Sequence, residues 1–328
     1  MGRRVRAAAI QLQCKLGDIS YNIGECERLA AEAGQAGARW IVLPEFFTTG
    51  IGFSPALTGK ALPPDGDATA LLVSVAKRFN AYVGGSFLCR DADGETRNAF
   101  ILVSSGGPVG RHDKDIPTLW ENCWYIGGKD DGRFRADDLD VGVALCAELG
   151  RTVTARRLRG ADLIVGGSFT WHPPEYLPRW LGRDSLDERF FRGISAWAQP
   201  FARLVGAPVI EAGHCGDLVC RDQLLPLEYK CPIGDGAKIC AADGTLLAGR
   251  KPEEGPGVIV ADVEVGQTEP LEVLPAGEWI RPLAGLGKIM WNIQQAHGRK
   301  WYRKHQVTNE DRRAAASTVA PSTSSNPG

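Results

Sequence analysis

The chain has 328 residues, of which 44% are hydrophobic and 23% are charged, and its formal net charge is -1. This composition is typical of a globular protein with a large core. The balance of acidic and basic residues argues against nucleic acid or an anionic membrane surface as the main partner. The sequence holds no apolar run close to the ~20 residues of a membrane span. The apolar stretch near the N-terminus is interrupted at Gln11 and is therefore too short for a secretory signal.

The cysteines argue against a disulfide framework. Their number is odd, and none forms a Cys-x-x-Cys pair. We therefore expect a reducing, cytoplasmic location. His214, Cys215 and Cys220 lack a fourth ligand at zinc-like spacing, so we predict no metal site. The nine cysteines are at positions 14, 26, 89, 123, 146, 215, 220, 231 and 240.

Strand and helix patterns alternate along the chain, which predicts a layered α/β fold. Most of the predicted strands are short apolar runs, which are typical of strands covered on both faces. The predicted strands are 5–13, 40–43, 81–89, 98–104, 140–145, 161–165, 208–212, 237–240 and 258–263. The predicted helices are 22–36, 68–79, 152–159 and 285–305. The small, polar residues 312–328 are predicted to be disordered.

Three reactive residues follow predicted strands. Glu45 ends an apolar run, Lys114 follows the strand 98–104 after a Gly-Gly-Pro turn, and Cys146 ends another run. Because the ends of neighbouring strands open into one crevice, we expect these side chains to converge. Glu121, seven residues after Lys114, is placed to hold the ammonium or the first carboxylate.

A carboxylate, an ammonium and a thiol together make a nucleophilic site. The cation would lower the pKa of Cys146, and Glu45 would take the thiol proton and pass it to a leaving amine. Lys114 and the backbone N–H of Ala147 would stabilise an oxyanion.

Each of these residues alone has a simpler interpretation. Cys146 is typical of a small buried side chain, Glu45 of a turn or cap, and Lys114 of a solvated charge cluster. His112 offers a protease-like partner for Cys146, but no orienting Asp or Asn is evident. Arg151 is either a ligand of a substrate carboxylate or a solvated residue at a helix start.

Aromatic residues near these positions are candidates for a substrate pocket or for core packing, and the sequence leaves both open. One group flanks Glu121, and the other lies in the loop after the strand 161–165. The residues are Trp120 and Trp124 in the first group, and Phe169, Trp171 and His172 in the second.

Over residues 4–265 the chain resembles the nitrilase, or carbon–nitrogen hydrolase, superfamily. The resemblance is carried by three motifs in order: the apolar run 41–43 followed by Pro-Glu at 44–45, the basic stretch 110–115 around Lys114, and Cys-Ala-Glu at 146–148. The hairpin at 236–244 is a further match. The chain departs from the family at 149–152, which lacks a Pro-Glu, and at 190–198, which lacks an Arg-Ala-x-Glu-Asn helix.

The resemblance implies a single α-β-β-α sandwich that forms a four-layer homodimer. We predict a hydrolase domain at 1–284, a C-terminal helical extension at the oligomer interface at 285–311, and a disordered tail at 312–328. The implied catalytic residues are Glu45, Lys114, Cys146 and Glu121, and no cofactor is needed. We assign Ala147, Trp120 and Trp171 to substrate binding.

The implied substrate is a small molecule with a non-peptide C–N bond. An amide or carbamoyl compound is favoured, and a nitrile is the alternative because Cys-Ala-Glu is similar to the Cys-x-Glu of nitrilases. A non-catalytic binding or scaffold protein of the same fold is the other hypothesis, and the presence of all four polar residues argues against it.

Overall fold

The computed structural model describes residues 3–178, 197–234, 236–280 and 286–306. In these ranges the chain forms five α-helices and fourteen strands. The helices are α1 (Ile19–Gln35), α2 (Asp67–Phe79), α3 (Thr152–Leu158), α4 (Ala198–Val205) and α5 (Leu286–His305). The strands are β1 (Arg3–Leu12), β2 (Trp40–Val42), β3 (Tyr82–Arg90), β4 (Thr96–Ser104), β5 (Gly107–Asp113), β6 (Arg133–Ala136), β7 (Leu139–Val143), β8 (Leu163–Gly167), β9 (Val209–His214), β10 (Asp217–Arg221), β11 (Glu228–Pro232), β12 (Ala237–Cys240), β13 (Leu246–Arg250) and β14 (Gly257–Val265).

Twelve of the strands form two sheets that join at one corner, and β10 and β11 pair separately as a hairpin. The first sheet has the order β5-β4-β3-β2-β1 with β14 antiparallel to β1, and the second has the order β9-β8-β7-β6 with β12 beside β9 and β13 beside β12. Their junction is a short parallel pairing of Gln11 with Gly213 and of Leu12 with His214. Strands β1, β2 and β3 run parallel to one another, as do β7, β8 and β9.

The alternation of side chains along β1 shows how the layers are built. Ala8 and Ile10 pack in one cluster with α1 and α2, whereas Ala7 and Ala9 pack in a second cluster with β7, β8 and β9. Successive side chains of a strand point to opposite faces, so a strand buried on both faces must be apolar throughout. This explains the small, apolar run at residues 7–10 of β1.

The helices cover the outer faces of the two sheets. α1 and α2 pack on the first sheet, and α3 and α4 pack on the second around Ile164 and Val209. The predicted α-β-β-α sandwich is therefore confirmed. The helix predicted at 22–36 is α1, which begins three residues earlier and ends at Gln35, and Gly37 takes a left-handed φ of 83° just after it.

The structure differs from the prediction in several strands. The segment before Lys114 was predicted as a turn, but it also contains β5, which pairs with β4 as a hairpin. β5 was missed because its polar sequence shows no alternation of apolar and polar residues. The strand predicted at 140–145 ends at Val143, and the one predicted at 161–165 begins at Leu163. β6, β13 and the hairpin of β10 and β11 were missed because charged and turn-forming residues interrupt their apolar patterns.

The C-terminal helix α5 packs on the turn of 3₁₀ helix at Leu119–Cys123, which carries Glu121. Its buried face includes Gln295, which donates to the carbonyl of Pro117 at 3.0 Å, and Gly298, which faces Asn122. The predicted tail at 312–328 and most of the atypical stretch 190–198 lie outside the described residues. Within the described ranges, no helix is long and apolar enough to cross a membrane.

Candidate active site

The predicted catalytic residues lie where strands end. Glu45 is three residues beyond β2, Lys114 directly follows β5, and Cys146 is three residues beyond β7. β8 ends two residues before Phe169. Because β2, β7 and β8 belong to the parallel parts of the two sheets, these residues gather at one edge of the sandwich.

The structure brings Glu45, Lys114 and Glu121 into one buried ionic network. The Nζ atom of Lys114 donates to Oε1 of Glu45 and to Oε2 of Glu121, each at 2.8 Å. All three side chains have no solvent exposure. A lysine ammonium has three N–H donors, and two of them are used by these carboxylates.

Glu121 is held in place by its own turn. Its Oε2 atom also accepts hydrogen bonds from the backbone N–H of Thr118 at 2.8 Å and from the hydroxyl of Tyr125. The first of these belongs to a capping arrangement at the start of the Leu119–Cys123 turn. Glu121 therefore presents a fixed carboxylate to Lys114.

Cys146 and Glu45 are linked by the backbone of Phe169. The N–H of Phe169 donates to Oε2 of Glu45 at 3.1 Å, and its carbonyl accepts a weak hydrogen bond from Sγ of Cys146 at 3.9 Å. Phe169 was predicted as a possible pocket wall through its ring. Its backbone contact with both residues was missed, because no side-chain pattern reports it.

Two glycines at the end of β8 permit this close approach. A Cβ atom on Gly166 would lie 1.9 Å from the carbonyl oxygen of Ala144, and one on Gly167 would lie 2.4 Å from the backbone nitrogen of Glu45. Both contacts are too short for any side chain. The Gly-Gly pair therefore lets β8 fit between the segments that carry Glu45 and Cys146.

Backbone strain is concentrated at the same edge. Five non-glycine residues in the described ranges have a left-handed φ, and three of them are at the site. Phe46 (53°) follows Glu45, Leu119 (53°) begins the turn that carries Glu121, and Cys146 (46°) is the predicted nucleophile itself. Such conformations cost of order 1–3 kcal/mol each and persist only where the surroundings enforce them.

Burial dominates the proton affinities of the site. It raises the pKa of Glu45 to about 7, with Lys114 opposing and Glu121 adding to the rise. It also raises the pKa of Cys146 well above its usual value, and the carboxylate of Glu45 adds to this, while Lys114 lowers it. The cation lowers the pKa of Cys146 as expected, but burial and the carboxylate of Glu45 outweigh it, so the net pKa is raised. Burial would lower the pKa of Lys114, but Glu121 and Glu45 raise it well above its usual value.

Ala147 is the second residue of a 3₁₀ turn that begins at Cys146. The hydrogen bonds of this turn begin at Glu148, whose N–H donates to the carbonyl of Leu145 at 2.9 Å. The N–H of Ala147 precedes that bond, in the position where helix N-termini leave donors for a ligand.

Two further residues fix Glu45 and were not predicted. The amide of Asn98 on β4 donates to Oε1 of Glu45 at 2.8 Å, and Nε2 of His214 donates to the backbone carbonyl of Glu45 at 2.7 Å. Burial lowers the pKa of His214 to about 4, so its ring is neutral at pH 7. Neither residue is marked by a local motif, since each acts from a strand distant in sequence.

The predicted aromatic residues form one cluster beside the network. The rings of Trp120 and Trp171 stack with their centroids 4.4 Å apart, and Tyr229 meets Trp120 edge-on at 4.8 Å. Phe169 and Trp124 belong to the same buried cluster. The remaining loop residue, His172, contributes its backbone carbonyl to the hydroxyl of Tyr229 at 2.7 Å.

His112 does not serve as a protease-like partner of Cys146. Its Nδ1 atom lies 2.5 Å from Oδ1 of Asp130, and its Nε2 atom lies 3.0 Å from Oε2 of Glu148. Both ring nitrogens are therefore engaged by carboxylates, and that alternative is wrong. Arg151 likewise pairs with Asp115 and, at 3.7 Å, with Glu278.

The cysteines and histidine considered for zinc do not assemble into a site. His214 contacts the backbone of Glu45 instead, and none of the nine cysteines, all within the described ranges, forms a disulfide. Within the part of the chain that the structure describes, no group of three or more His, Cys, Asp or Glu side chains is arranged to hold a metal ion.

This geometry can be compared with known proteins. Residues 6–184 match the family model of the carbon–nitrogen hydrolases. The chain belongs to the carbon–nitrogen hydrolase family. The predicted membership and enzyme class are thereby confirmed. The matched region contains Glu45, Lys114, Glu121 and Cys146.

This hydrolase is similar to curated proteins of two activities. It is 28% identical to a nitrilase of Pyrococcus abyssi over 195 residues, which cover 57% of this chain and 72% of the relative. It is 27% identical to an N-carbamoylputrescine amidase of Solanum lycopersicum over 174 residues, which cover 49% of this chain and 57% of the relative.

Solved structures share the fold of this hydrolase. A carbon–nitrogen hydrolase from Helicobacter pylori G27 has a TM-score of 0.63 at 16% identity, covering 80% of this chain and 89% of that one. A variant of an amidase from Nesterenkonia sp. AN1, which shows the result of Michael addition of acrylamide at its active-site cysteine, has a TM-score of 0.60 at 16% identity, covering 79% and 92%. At this identity the likeness establishes the fold alone.

Proposed function

We propose that this hydrolase cleaves the C–N bond of a small amide or carbamoyl compound through a thioester on Cys146. The observation that carries the proposal is the fully buried network of Glu45, Lys114 and Glu121, joined to Cys146 through the backbone of Phe169. The network supports the proposal because a base, a cation and a nucleophile that lie this close could act on one substrate carbon.

In the first half of the reaction, Glu45 acts as general base. Because burial keeps Cys146 as a thiol, its proton passes to Glu45 as Sγ attacks the carbonyl carbon. The oxyanion is stabilised by the third N–H of Lys114 and by the N–H of Ala147. The protonated Glu45 then gives its proton to the departing nitrogen, the C–N bond breaks, and ammonia or an amine leaves.

In the second half, water hydrolyses the thioester. Glu45 takes a proton from the water as its oxygen attacks the acyl carbon, and the same two donors hold the new oxyanion. The C–S bond breaks, Glu45 returns the proton to Sγ, and the carboxylic acid leaves. Glu121 remains the positioning partner of Lys114 throughout. The chain's own residues account for each proton, so this mechanism requires no cofactor.

We assign substrate contact to Trp120 and Trp171 as well as to Ala147. The stacked indoles belong to the apolar cluster that also contains Phe169, next to the catalytic network. A flat apolar wall at this place suits the acyl part of a small substrate. The two rings also pack in the buried cluster, which is the other interpretation that the sequence left open.

Nitrile hydrolysis is the second candidate function. The same nucleophile, deprotonated by the same base, would attack a nitrile carbon, and one relative at 28% identity is a nitrilase. The amide or carbamoyl substrate is supported by the N-carbamoylputrescine amidase relative.

We further propose that the region 1–284 acts as the hydrolase domain and that 285–311 lies at a homodimer interface. α5 exposes Ile289, Met290 and Ile293 on its outward face, which is an apolar strip available to a second copy. Sedimentation velocity of the full chain against a variant with Lys at positions 289 and 293 tests this proposal. A monomeric wild-type protein would overturn it.

A substrate panel tests the proposed reaction. Wild-type protein and Cys146→Ala are assayed for ammonia release on matched amide, carbamoyl and nitrile compounds that share an acyl group. We expect turnover of amides or carbamoyl compounds by the wild type and a loss of more than about 10³-fold in Cys146→Ala. Full turnover by the variant would contradict the mechanism, and activity on nitriles alone would select the second candidate.

A further inference from the structure

Glu148 lies two residues after Cys146 and is fully buried. Its Oε2 atom accepts the backbone N–H of Leu145 at 2.8 Å, and its Oε1 atom accepts the backbone N–H of Asp115 at 2.9 Å. Leu145 immediately precedes Cys146, and Asp115 immediately follows Lys114. One carboxylate therefore joins the backbone beside the nucleophile to the backbone beside the cation, without using either reactive atom.

His112 supports this carboxylate from the other side. Its Nε2 atom lies 3.1 Å and 3.0 Å from the two oxygens of Glu148, and its Nδ1 atom lies 2.5 Å from Asp130. Arg157 approaches Oε1 of Glu148 at 3.8 Å. The two cations balance the two carboxylates, which allows the cluster to remain ionised in the interior. Asp130 is anchored in turn by the N–H groups of Asp113 and Gly132, each at 2.9 Å.

We propose that the pair formed by Glu148 and His112 is a positioning device that sets the separation of Cys146 and Lys114 and keeps Cys146 in its left-handed conformation. This inference depends on the proposed function, because it assigns a purpose to the distance between those two residues. Glu148 and His112 are positioning residues, since neither contacts the reacting atoms.

The chemistry of a carboxylate explains why glutamate suits this place. Both backbone N–H groups need an acceptor, and an ionised carboxylate has two acceptor oxygens. Glutamine has one oxygen and one NH₂ group, so one of the two backbone donors would face another donor. The loop of Cys146 or the loop of Lys114 would then shift, and a misplacement of about 1 Å can reduce a rate about 100-fold.

The test uses Glu148→Gln, Glu148→Asp, His112→Gln and the double variant with Gln at both positions. The control is Asp162→Asn, because the Asp162 carboxylate likewise joins two backbone N–H groups, those of Asp140 and Gln267, near the starts of β7 and β8 and opposite the strand ends that lead to Cys146 and Phe169. We expect Glu148→Gln and His112→Gln to lower kcat by about 10- to 100-fold with KM changed less than about 3-fold. The rate at which iodoacetamide alkylates Cys146, followed by peptide mass mapping, should fall with kcat.

The double variant should lose no more than Glu148→Gln alone, because residues that act as a unit are not additive. Glu148→Asp, which retains both acceptor oxygens, should recover part of kcat. If Glu148→Gln fails to fold, Glu148→Asp and His112→Gln give the same comparison.

Wild-type kcat and alkylation rate in folded Glu148→Gln and His112→Gln would overturn the inference. A fall in kcat no larger than that of Asp162→Asn at an equal loss of Tm would also overturn it, because the role would then be structural only. Failure of the proposed function itself is distinguishable, since Cys146→Ala would then retain turnover.

Discussion

Lys114 and Glu45 form an ion pair with Nζ and Oε1 2.8 Å apart and with neither side chain exposed to solvent. The two residues are 69 positions apart in the sequence. Burying an ion pair is costly unless further hydrogen bonds complete it, and here Asn98, Phe169 and Glu121 supply them. The arrangement keeps a base with a pKa near neutrality beside a permanent cation.

The first prediction concerns the pH dependence of turnover. Burial raises the pKa of Glu45 to about 7, and the general base must be ionised to take the thiol proton. We therefore expect kcat/KM to fall about tenfold per pH unit as pH drops below about 7 and to level off above it. A pH profile between 5 and 9 on a neutral amide measures this. A flat profile from pH 5 to 8 would contradict the role of Glu45.

The second prediction concerns Asn98. Its amide donates to the charged form of Glu45, so removing it in Asn98→Ala should raise the pKa of Glu45. The acid limb of the kcat/KM profile should move to higher pH by up to about one unit. Asn22→Ala is the matched control, because Asn22 is a buried amide that bonds only the backbone of Lys15 and Thr48. An equal shift of the acid limb in Asn22→Ala would contradict the assignment of the effect to the hydrogen bond between Asn98 and Glu45.

The third prediction concerns stability at alkaline pH. Burial would lower the pKa of His112, but Glu148 and Asp130 raise it to about 10 from a usual 6.5. A group whose pKa is higher in the folded than in the unfolded protein stabilises the fold. This stabilisation is complete below the unfolded-state pKa and is lost as pH rises through the folded-state pKa. Tm should therefore decline between pH 6.5 and 10 more steeply in the wild type than in His112→Gln. Parallel Tm curves for the two proteins would refute this.

The fourth prediction compares two helical glycines. A Cβ atom on Gly298 of α5 would lie 2.5 Å from Cβ of Asn122, whereas one on Gly24 of α1 meets no atom within 4 Å. Gly298→Ala should push α5 from the turn that carries Glu121, costing about 1–3 kcal/mol and lowering kcat. Gly24→Ala should leave kcat unchanged and stabilise the fold by up to about 1 kcal/mol. Thermal melts and kcat of both variants decide whether α5 supports the site.

Much of this account was predictable from sequence because the decisive residues follow strongly apolar strands. Glu45 and Cys146 end such runs, and the order of the parallel strands places them at one edge. Lys114 was expected beside Glu45 although β5 was missed, because the family motif marks the residue independently of the strand, and the structure pairs the two side chains.

The supporting residues were not predictable in the same way. Asn98 and His214 reach Glu45 from strands far along the chain, and Phe169 acts through its backbone, so no local pattern reveals them. The raised pKa of Cys146 was also missed, because it depends on burial and on the summed charges of the folded network rather than on the neighbouring cation.

The most direct test of the central claim is to find the acyl group during turnover. Wild-type protein is mixed with a slowly hydrolysed amide, quenched in acid within the first turnovers, digested and mapped by mass spectrometry. We expect the peptide that contains Cys146 to carry the acyl group in place of the thiol hydrogen, and hydroxylamine to remove it. An acyl group on any other residue, or turnover by Cys146→Ala at the wild-type rate, would contradict the account.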